Sequence, residues 1–399
     1  MRLVLLLISA AFAAAAPKPM FDGKTLKGWH QCNGKATYRV ENREIVGRTA
    51  EGSPNSFLCS DREYGDFILE YETKTEPALN SGVQIRSHQY KSDQEVVTEN
   101  KGARRVRHPA GRVHGYQVET ATAESGSSGG IYDEARRGWV ANISSDPTAS
   151  KAFRDNEWNK YRVEARGDFI QTWVNGVPCA KLVDSMDLTG FIALQVHSFK
   201  GDKPAEVRWR NIRIDDLGGH EWKRIFDGST MKGWKKDGGG EWAVEGGALK
   251  GVQPGGTTNR GFLISEDEFG DFTLRMQYKI SKGNSGVFFR MGAPSAKEMG
   301  FEVEVDPTRD PGGLQAPGTR GWLQHTGEPD KNPEWRPLDW NELTISAQGR
   351  RIVVHVNGKK MTESLDDPGR LTGRFALQSN PRLPLEVWFK DIEVMRPAR

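Results

Sequence analysis

The densest cluster of chemistry-bearing residues in the chain is Gly129-Gly130-Ile131-Tyr132-Asp133-Glu134-Ala135-Arg136-Arg137-Gly138-Trp139. It packs two adjacent carboxylates, two arginines and two aromatics into one short segment. Carboxylates and guanidiniums together can move protons and hold developing negative charge. The same residues could equally form an Asp/Glu–Arg salt-bridge knot that only fixes a loop, and the leading glycines predict a loop here. Three more segments carry polar residues at a spacing of two, which in a strand puts them on one face. These are Gln84 with Arg86, Gln117 with Glu119, and Gln195 with His197, each interleaved with apolar residues predicted to face a core. If the three strands share a sheet, one face presents Arg, Glu, Gln and His. Such groups suit hydrogen bonding to hydroxyls, although an ordinary solvated face carries the same pattern.

The elements that must position these groups repeat. Phe21-Asp22-Gly23-Lys24-Thr25-Leu26-Lys27-Gly28-Trp29 returns as Phe226-Asp227-Gly228-Ser229-Thr230-Met231-Lys232-Gly233-Trp234. Asn80-Ser81-Gly82-Val83 with Arg86 returns as Asn284-Ser285-Gly286-Val287 with Arg290, and Val174-Asn175-Gly176 as Val356-Asn357-Gly358. So many blocks in one order imply two homologous domains, 17–217 and 218–399. Within each, short alternating runs such as Phe67–Glu72 and Tyr161–Ala165 predict strands. Asn175-Gly176 predicts a type I′ hairpin, because both positions tolerate positive φ. Beyond the N-terminal segment no run reads as a long amphipathic helix, so the expected class is all-β, a sandwich or jelly roll in each copy.

The second copy serves as an internal control. Its matching segment replaces Tyr132, Asp133, Glu134 and Arg136 with Gln315, Ala316, Pro317 and Thr319. His197 becomes Asn380 and Gln84 becomes Phe288, while Gln117 and Glu119 become Glu302 and Glu304. A residue needed only for folding should persist in both copies, so any catalysis is expected in the first. That copy also has a longer loop, 87–114 against 291–299, holding His88, Arg104, Arg105, Arg107, His108, Arg112 and His114. A long loop in a compact domain reads as a functional lid or as disorder. A basic, histidine-bearing lid could hold a substrate oxygen or a metal, and Arg104 to Arg107 read as a solvated excursion.

Lys plus Arg number 56 against 53 Asp plus Glu, a net charge of +3, which gives no support for nucleic-acid binding. Met1-Arg2 precedes an apolar run from Leu3 to Ala16 that ends in small residues, the pattern of a cleaved secretory signal peptide over 1–16. The run is too short to span a bilayer comfortably. A secreted or periplasmic protein without a membrane span is expected. Cys32, Cys59 and Cys179 form no C-x-x-C pair; export permits one disulfide, of undetermined pairing, and one odd thiol.

The Phe-Asp-Gly-x-Thr-Leu-x-Gly-Trp opening, Asn-Ser-Gly-Val with its Arg, Gly-Tyr-Gln-Val-Glu, Ile-Tyr-Asp-Glu-x-Arg-Arg and Asn-Ile-Arg-Ile resemble the 3-keto-disaccharide hydrolase family across both halves. The resemblance implies two tandem concanavalin A-like jelly-roll domains and cleavage of glycosidic bonds in sugars already oxidised at C3. A ketone at C3 acidifies the C2 proton, so a base can remove it, the C1 substituent can leave and water can add back. Carried onto this chain, the expected catalytic residues are Glu119, His197, Asp133 and Glu134, with Asp133 and Glu134 assisting or holding a divalent metal. Arg86, Gln84, Gln117, Tyr132, Arg136, Arg137, Trp139 and Gln195 are expected to bind substrate. The second copy lacks the Tyr-Asp-Glu element and the late His, so binding or structural support is expected of it. Direct two-carboxylate hydrolysis by Glu119 with Asp133 or Glu134 is a rival route. A tandem carbohydrate-binding protein without turnover is a rival class, with Trp139, Trp322 or Trp29 as stacking platforms, and a cell-surface interaction module without sugar affinity is a third. Core packing is the expected job of Trp29 and Trp234.

Overall fold

The computed structural model describes residues 17–76, 79–98, 104–201, 203–220, 222–293, 299–328 and 335–395. The apolar run from Leu3 to Ala16 lies outside the described residues. The chain divides into two compact units, with the break between Gly219 and His220. Both are β-sandwiches, and among the described residues no helix is long and apolar enough to cross a membrane.

The first unit runs through β1 (Lys18–Pro19), β2 (Trp29–Cys32), β3 (Thr37–Glu41), β4 (Glu44–Arg48), β5 (Ser56–Tyr64) and β6 (Asp66–Thr75). Then come β7 (Ser81–Gln89), β8 (Gln94–Thr98), β9 (Arg104–His108), β10 (Val113–Thr120), β11 (Ile131–Glu134) and β12 (Gly138–Ala141). The last are β13 (Asn159–Arg166), β14 (Phe169–Val174), β15 (Val177–Val183), β16 (Gly190–Val196) and β17 (Glu206–Gly218). One sheet has the order β12-β11-β10-β7-β16-β5-β2, and the other β15-β14-β13-β6-β17-β4-β3 with β1 paired to β17. All pairs are antiparallel, and β8 with β9 forms a separate two-stranded hairpin.

Alternation builds the core as the sequence predicts. Phe67, Leu69 and Tyr71 of β6 point inward against Tyr161, Val163 and Ala165 of β13, with the Tyr71 and Tyr161 rings stacked at 5.0 Å. Trp209 is fully buried in the same cluster, where truncation to Ala would cost about 3–5 kcal/mol. Asn175 and Gly176 both have positive φ at the β14–β15 hairpin. Trp29 and Trp234 are core residues whose indole N–H groups donate to the carbonyls of Met20 (3.0 Å) and Ile225 (2.8 Å). A disulfide joins Cys32 to Cys59, and Cys179 is a free thiol.

The alternation fails at one instructive place. Strict period two puts Arg86 on the same face as Gln84, but Arg86 has φ 46° and the pairing of β7 with both neighbours shifts register around it. Such a bulge re-aims the side chain. Arg86 turns between the sheets, wholly buried, and donates to Gly65 O (2.8 Å), Gly167 O and the Asp66 carboxylate (3.0 Å). The expectation that Arg86 binds substrate is therefore corrected: it is an internal strut. The second unit repeats it, with Arg290 at φ 49° donating to Gly270 O, Gly349 O and Asp271.

The second unit repeats the architecture. Its sheet Trp234–Gly238, Gly261–Ser265, Arg374–Ser379, Ser285–Met291, Phe301–Val305, Leu314–Ala316, Gly321–Gln324 follows the same spatial order as β2-β5-β16-β7-β10-β11-β12.

Candidate active site

The sheet containing β7, β10, β11 and β16 turns one face into the sandwich core and the other toward a cavity of about 340 Å³. Tyr116 and Val118 belong to the core, which sends Gln117 and Glu119 to the cavity side. Tyr132 and Glu134 arrive from β11, held by the pairing of Gln117 with Tyr132 and of Gly115 with Glu134. Trp139 from β12, Arg136 from the tight β11–β12 turn and His197 just past β16 complete the predicted set at this cavity. Seven predicted residues thus converge: Gln117, Glu119, Tyr132, Glu134, Arg136, Trp139 and His197.

Glu119 is the electrostatically unusual member. It is 6% exposed, accepts hydrogen bonds from the Asn80 amide and from Gln117 Nε2 (2.9 Å), and has its carboxyl pushed up to about 7. Burial is the main cause, because a charge loses hydration there; the two amide donors oppose it and the charge of Glu134 adds to it. A carboxyl balanced near neutrality can both take and return a proton. Glu134 accepts from Asn55 Nδ2 (3.0 Å) and is ion-paired with Arg112. Asn55 also accepts from the Ser198 backbone N–H (2.9 Å), which fixes the chain beside His197. The His197 Nδ1 lies 2.7 Å from the Ser198 carbonyl, a contact it can make only as a donor, so Nε2 is the nitrogen left for other partners. Tyr132 and Trp139 meet edge to face at 5.3 Å.

Other predicted residues fall elsewhere. Asp133 does not line the cavity: it is fully buried, accepting from Arg136 Nε (2.8 Å) and Arg137 Nε (2.6 Å). Arg136 also pairs with Asp187, and Arg137 with Asp184 (2.7 Å), which in turn accepts from the Tyr116 hydroxyl. The salt-bridge knot is thus the correct reading of Asp133 and Arg137, and the expected catalytic role of Asp133 is withdrawn. The second copy keeps part of it, Arg320 with Asp367 at 2.7 Å, while Ala316 and Thr319 stand where Asp133 and Arg136 do. Gln84 on β7 and Gln195 on the next strand, β16, lie fully buried, hydrogen-bonded to Gln117 at 3.0 and 2.6 Å, and support the floor without reaching the cavity. The expected divalent metal does not fit Asp133 and Glu134, because guanidiniums hold both Asp133 oxygens and Arg112 with Asn55 holds Glu134. Among the described residues no group of three or more His, Cys, Asp or Glu side chains is placed to hold a metal ion.

Sequence reasoning missed Asn55 and Asn80. Asn80 was visible as a repeated residue, but repetition pointed to folding, and the contact with Glu119 spans 39 positions. β8 pairs with β9, and Thr98, Arg104, Val106 and His108 wall the cavity, so Arg104, exposed as expected, also borders the site.

The model of the 3-keto-alpha-glucoside-1,2-lyase-like domain matches residues 16–215 and again 221–395. The chain belongs to this family. A curated 3-keto-disaccharide hydrolase from Bacteroides thetaiotaomicron is 33% identical over 117 residues, 27% of this chain, and the match spans 39% of that protein's length. Among solved structures, carbohydrate-binding module CBM66 from Bacillus subtilis is 21% identical, covering 41% of this chain and 96% of its own, with a TM-score of 0.33. A Bacillus subtilis protein with a galectin-like fold is 14% identical over 46% of this chain and 98% of its own, with a TM-score of 0.37. Both copies of the lyase-like domain are represented almost end to end in the family match, and the cavity lined by Glu134 and His197 lies in the first.

Proposed function

We propose that the first domain cleaves glycosidic bonds of sugars oxidised at C3, by proton abstraction, elimination and hydration. Glu119 takes the C2 proton, and the electron pair moves into the C2–C3 bond to form an enolate on the C3 oxygen. The Arg136 and Arg112 guanidiniums at the cavity wall stabilise that charge. The C1–oxygen bond then breaks, the leaving oxygen receives a proton from His197, and an enone remains. Water adds at C1, giving its proton back to His197, while Glu119 returns its proton to C2, so the net change is hydrolysis. The observation that carries this reading is Glu119: a buried carboxyl, poised near neutrality, in a cavity shared with His197, arginines and an aromatic pair.

The test is release of aglycone from a 3-keto-glucoside and from its unoxidised parent. Only the ketone should react, and Glu119→Gln and His197→Asn should each lose most of the turnover. Full activity in both variants would end the assignment. Glu134 lining the same cavity as Glu119 gives the two-carboxylate route a foothold, and cleavage of the unoxidised parent would select it.

We further infer that the protein is exported. The Met1-Arg2 start, the Leu3–Ala16 run and the Cys32–Cys59 disulfide support this, since disulfides persist in oxidising compartments. N-terminal sequencing of the mature protein should begin near Pro17. In the second domain, Trp322 is 36% exposed and stacks on His325 at 4.2 Å, which favours a sugar-binding role for that copy.

A further inference from the structure

We propose that the cavity selects glycosides carrying an anionic substituent, a carboxylate or a sulfate, held by Arg104 and Arg112. The inference rests on the reading of this cavity as the active site and adds its substrate class.

The hairpin β8–β9 divides its charges between two faces. Arg105 and Arg107 are spent on outward ion pairs with Glu95 (3.6 Å) and Asp93 (2.9 Å), and all four side chains are more than half exposed. Arg104, Val106 and His108, the alternate positions, line the cavity. Arg104 makes no ion pair or hydrogen bond among the described residues. The other two guanidiniums at the cavity are already engaged, Arg136 by Asp133 and Asp187, and Arg112 by Glu134. Yet Arg112 keeps one nitrogen, Nη1, buried without an acceptor. A buried donor left unmade is costly, so a ligand that supplies an acceptor gains a charge-assisted bond there.

Asp133 and Asp187 offset Arg136, and Glu134 offsets Arg112, so the positive charge left without a counter-ion at the cavity is that of Arg104. That excess favours approach of an anion. The hairpin is tethered rather than free: Tyr90 stacks on His114 at 4.1 Å and lies 6.0 Å from His108, and its hydroxyl donates to Ala135 O (3.1 Å) beside Arg136. The second copy has only 291–299 in place of 87–114 and offers no equivalent of Arg104.

Calorimetry of the full chain with cellobiose, cellobiouronic acid and cellobiose 6-sulfate tests this without requiring turnover. At about 20 mM salt one or both acidic sugars should bind about tenfold or more tighter than cellobiose, an advantage that shrinks near 0.5 M salt. The tighter of the two acids identifies the anion. Arg104→Gln should bring all three to similar affinity with an unchanged melting temperature, since Arg104 is exposed and supports no other group. Equal affinities in the parent protein, or an acidic preference that survives Arg104→Gln, would overturn the proposal. If the preference holds while 3-keto substrates remain uncleaved, the catalytic reading fails and this one stands; cleavage without preference leaves the catalytic reading standing and removes this one.

Discussion

Glu119 and Glu304 occupy the same position in two copies of one fold, and their closest surroundings agree. Each accepts from the Asn that precedes the neighbouring strand, Asn80 or Asn284, and each carboxyl is pushed up to about 7 mainly by burial. The next ring of residues separates them. In the first copy Tyr132 and His197 line a cavity together with the carboxyl. In the second, the residues at those positions close inward: Gln315 donates to Glu304, and Asn380 donates to Asn284 (2.7 Å). A raised carboxyl pKa thus comes with the sandwich itself, whereas proton transfer to a substrate also needs open space and an unspent partner.

The sharpest way to break that comparison is to neutralise both carboxyls separately. Glu119→Gln should lower turnover of a 3-keto-glucoside by about 10³-fold, within the range for a lost general acid–base, and Glu304→Gln should leave it unchanged. Equal losses would make the second copy catalytic. Next in size are the struts that the copies share. Arg86→Met should cost the first domain about 3–5 kcal/mol by orphaning buried Asp66 and two carbonyls. Arg290→Met should cost the second domain less, because Asp271 is about half exposed and keeps its water. Chemical denaturation of the full chain, followed domain by domain, reads both.

These struts show why the fold was legible in the sequence and the site only partly so. Period-two alternation is a consequence of strand geometry, so Tyr116-Gln117-Val118-Glu119 gave its faces correctly, and the repeated blocks gave the two sandwiches. Alternation says nothing of a bulge, and Arg86 was misplaced by one φ angle. Composition marked Asp133, Glu134, Arg136 and Arg137 as one cluster, but which carboxylate is consumed by guanidiniums depends on Asp184 and Asp187, some fifty residues away. The internal control had the same limit. It showed Glu119 retained as Glu304, and the decisive difference lies in the residues around the carboxyl.

Proton balance provides a mid-sized test. With Glu119 near 7, the base is protonated below that pH, so kcat/KM should fall about tenfold per unit on the acid side. Asn80→Ala removes a hydrogen bond that favours the ionised form and should move this acid limb to higher pH. His197→Asn, which installs the residue of the second copy, should lower kcat by about 10²-fold and leave the acid limb in place. A limb that moves with His197 instead would exchange the two roles.

The smallest expected effect concerns a site where the second copy holds a carboxyl and the first an amide. Glu302 stands at the position of Gln117, and burial, then the neighbouring Glu304, raises its carboxyl well above the ordinary value. A group with a raised folded-state pKa contributes stability that is complete below its unfolded value, about 4.3, and is lost as pH climbs toward its folded value. Glu302→Gln removes that loss, and Gln already fits the same register in the first copy, where Gln117 faces Tyr132 as Glu302 faces Gln315. The variant should match the parent near pH 4.5 and exceed it by about 1 kcal/mol or more near pH 8, read as the melting transition of the second domain. A gain of the same size at both pH values would trace to packing, and the contrast between the copies would then lie in shape rather than in protonation.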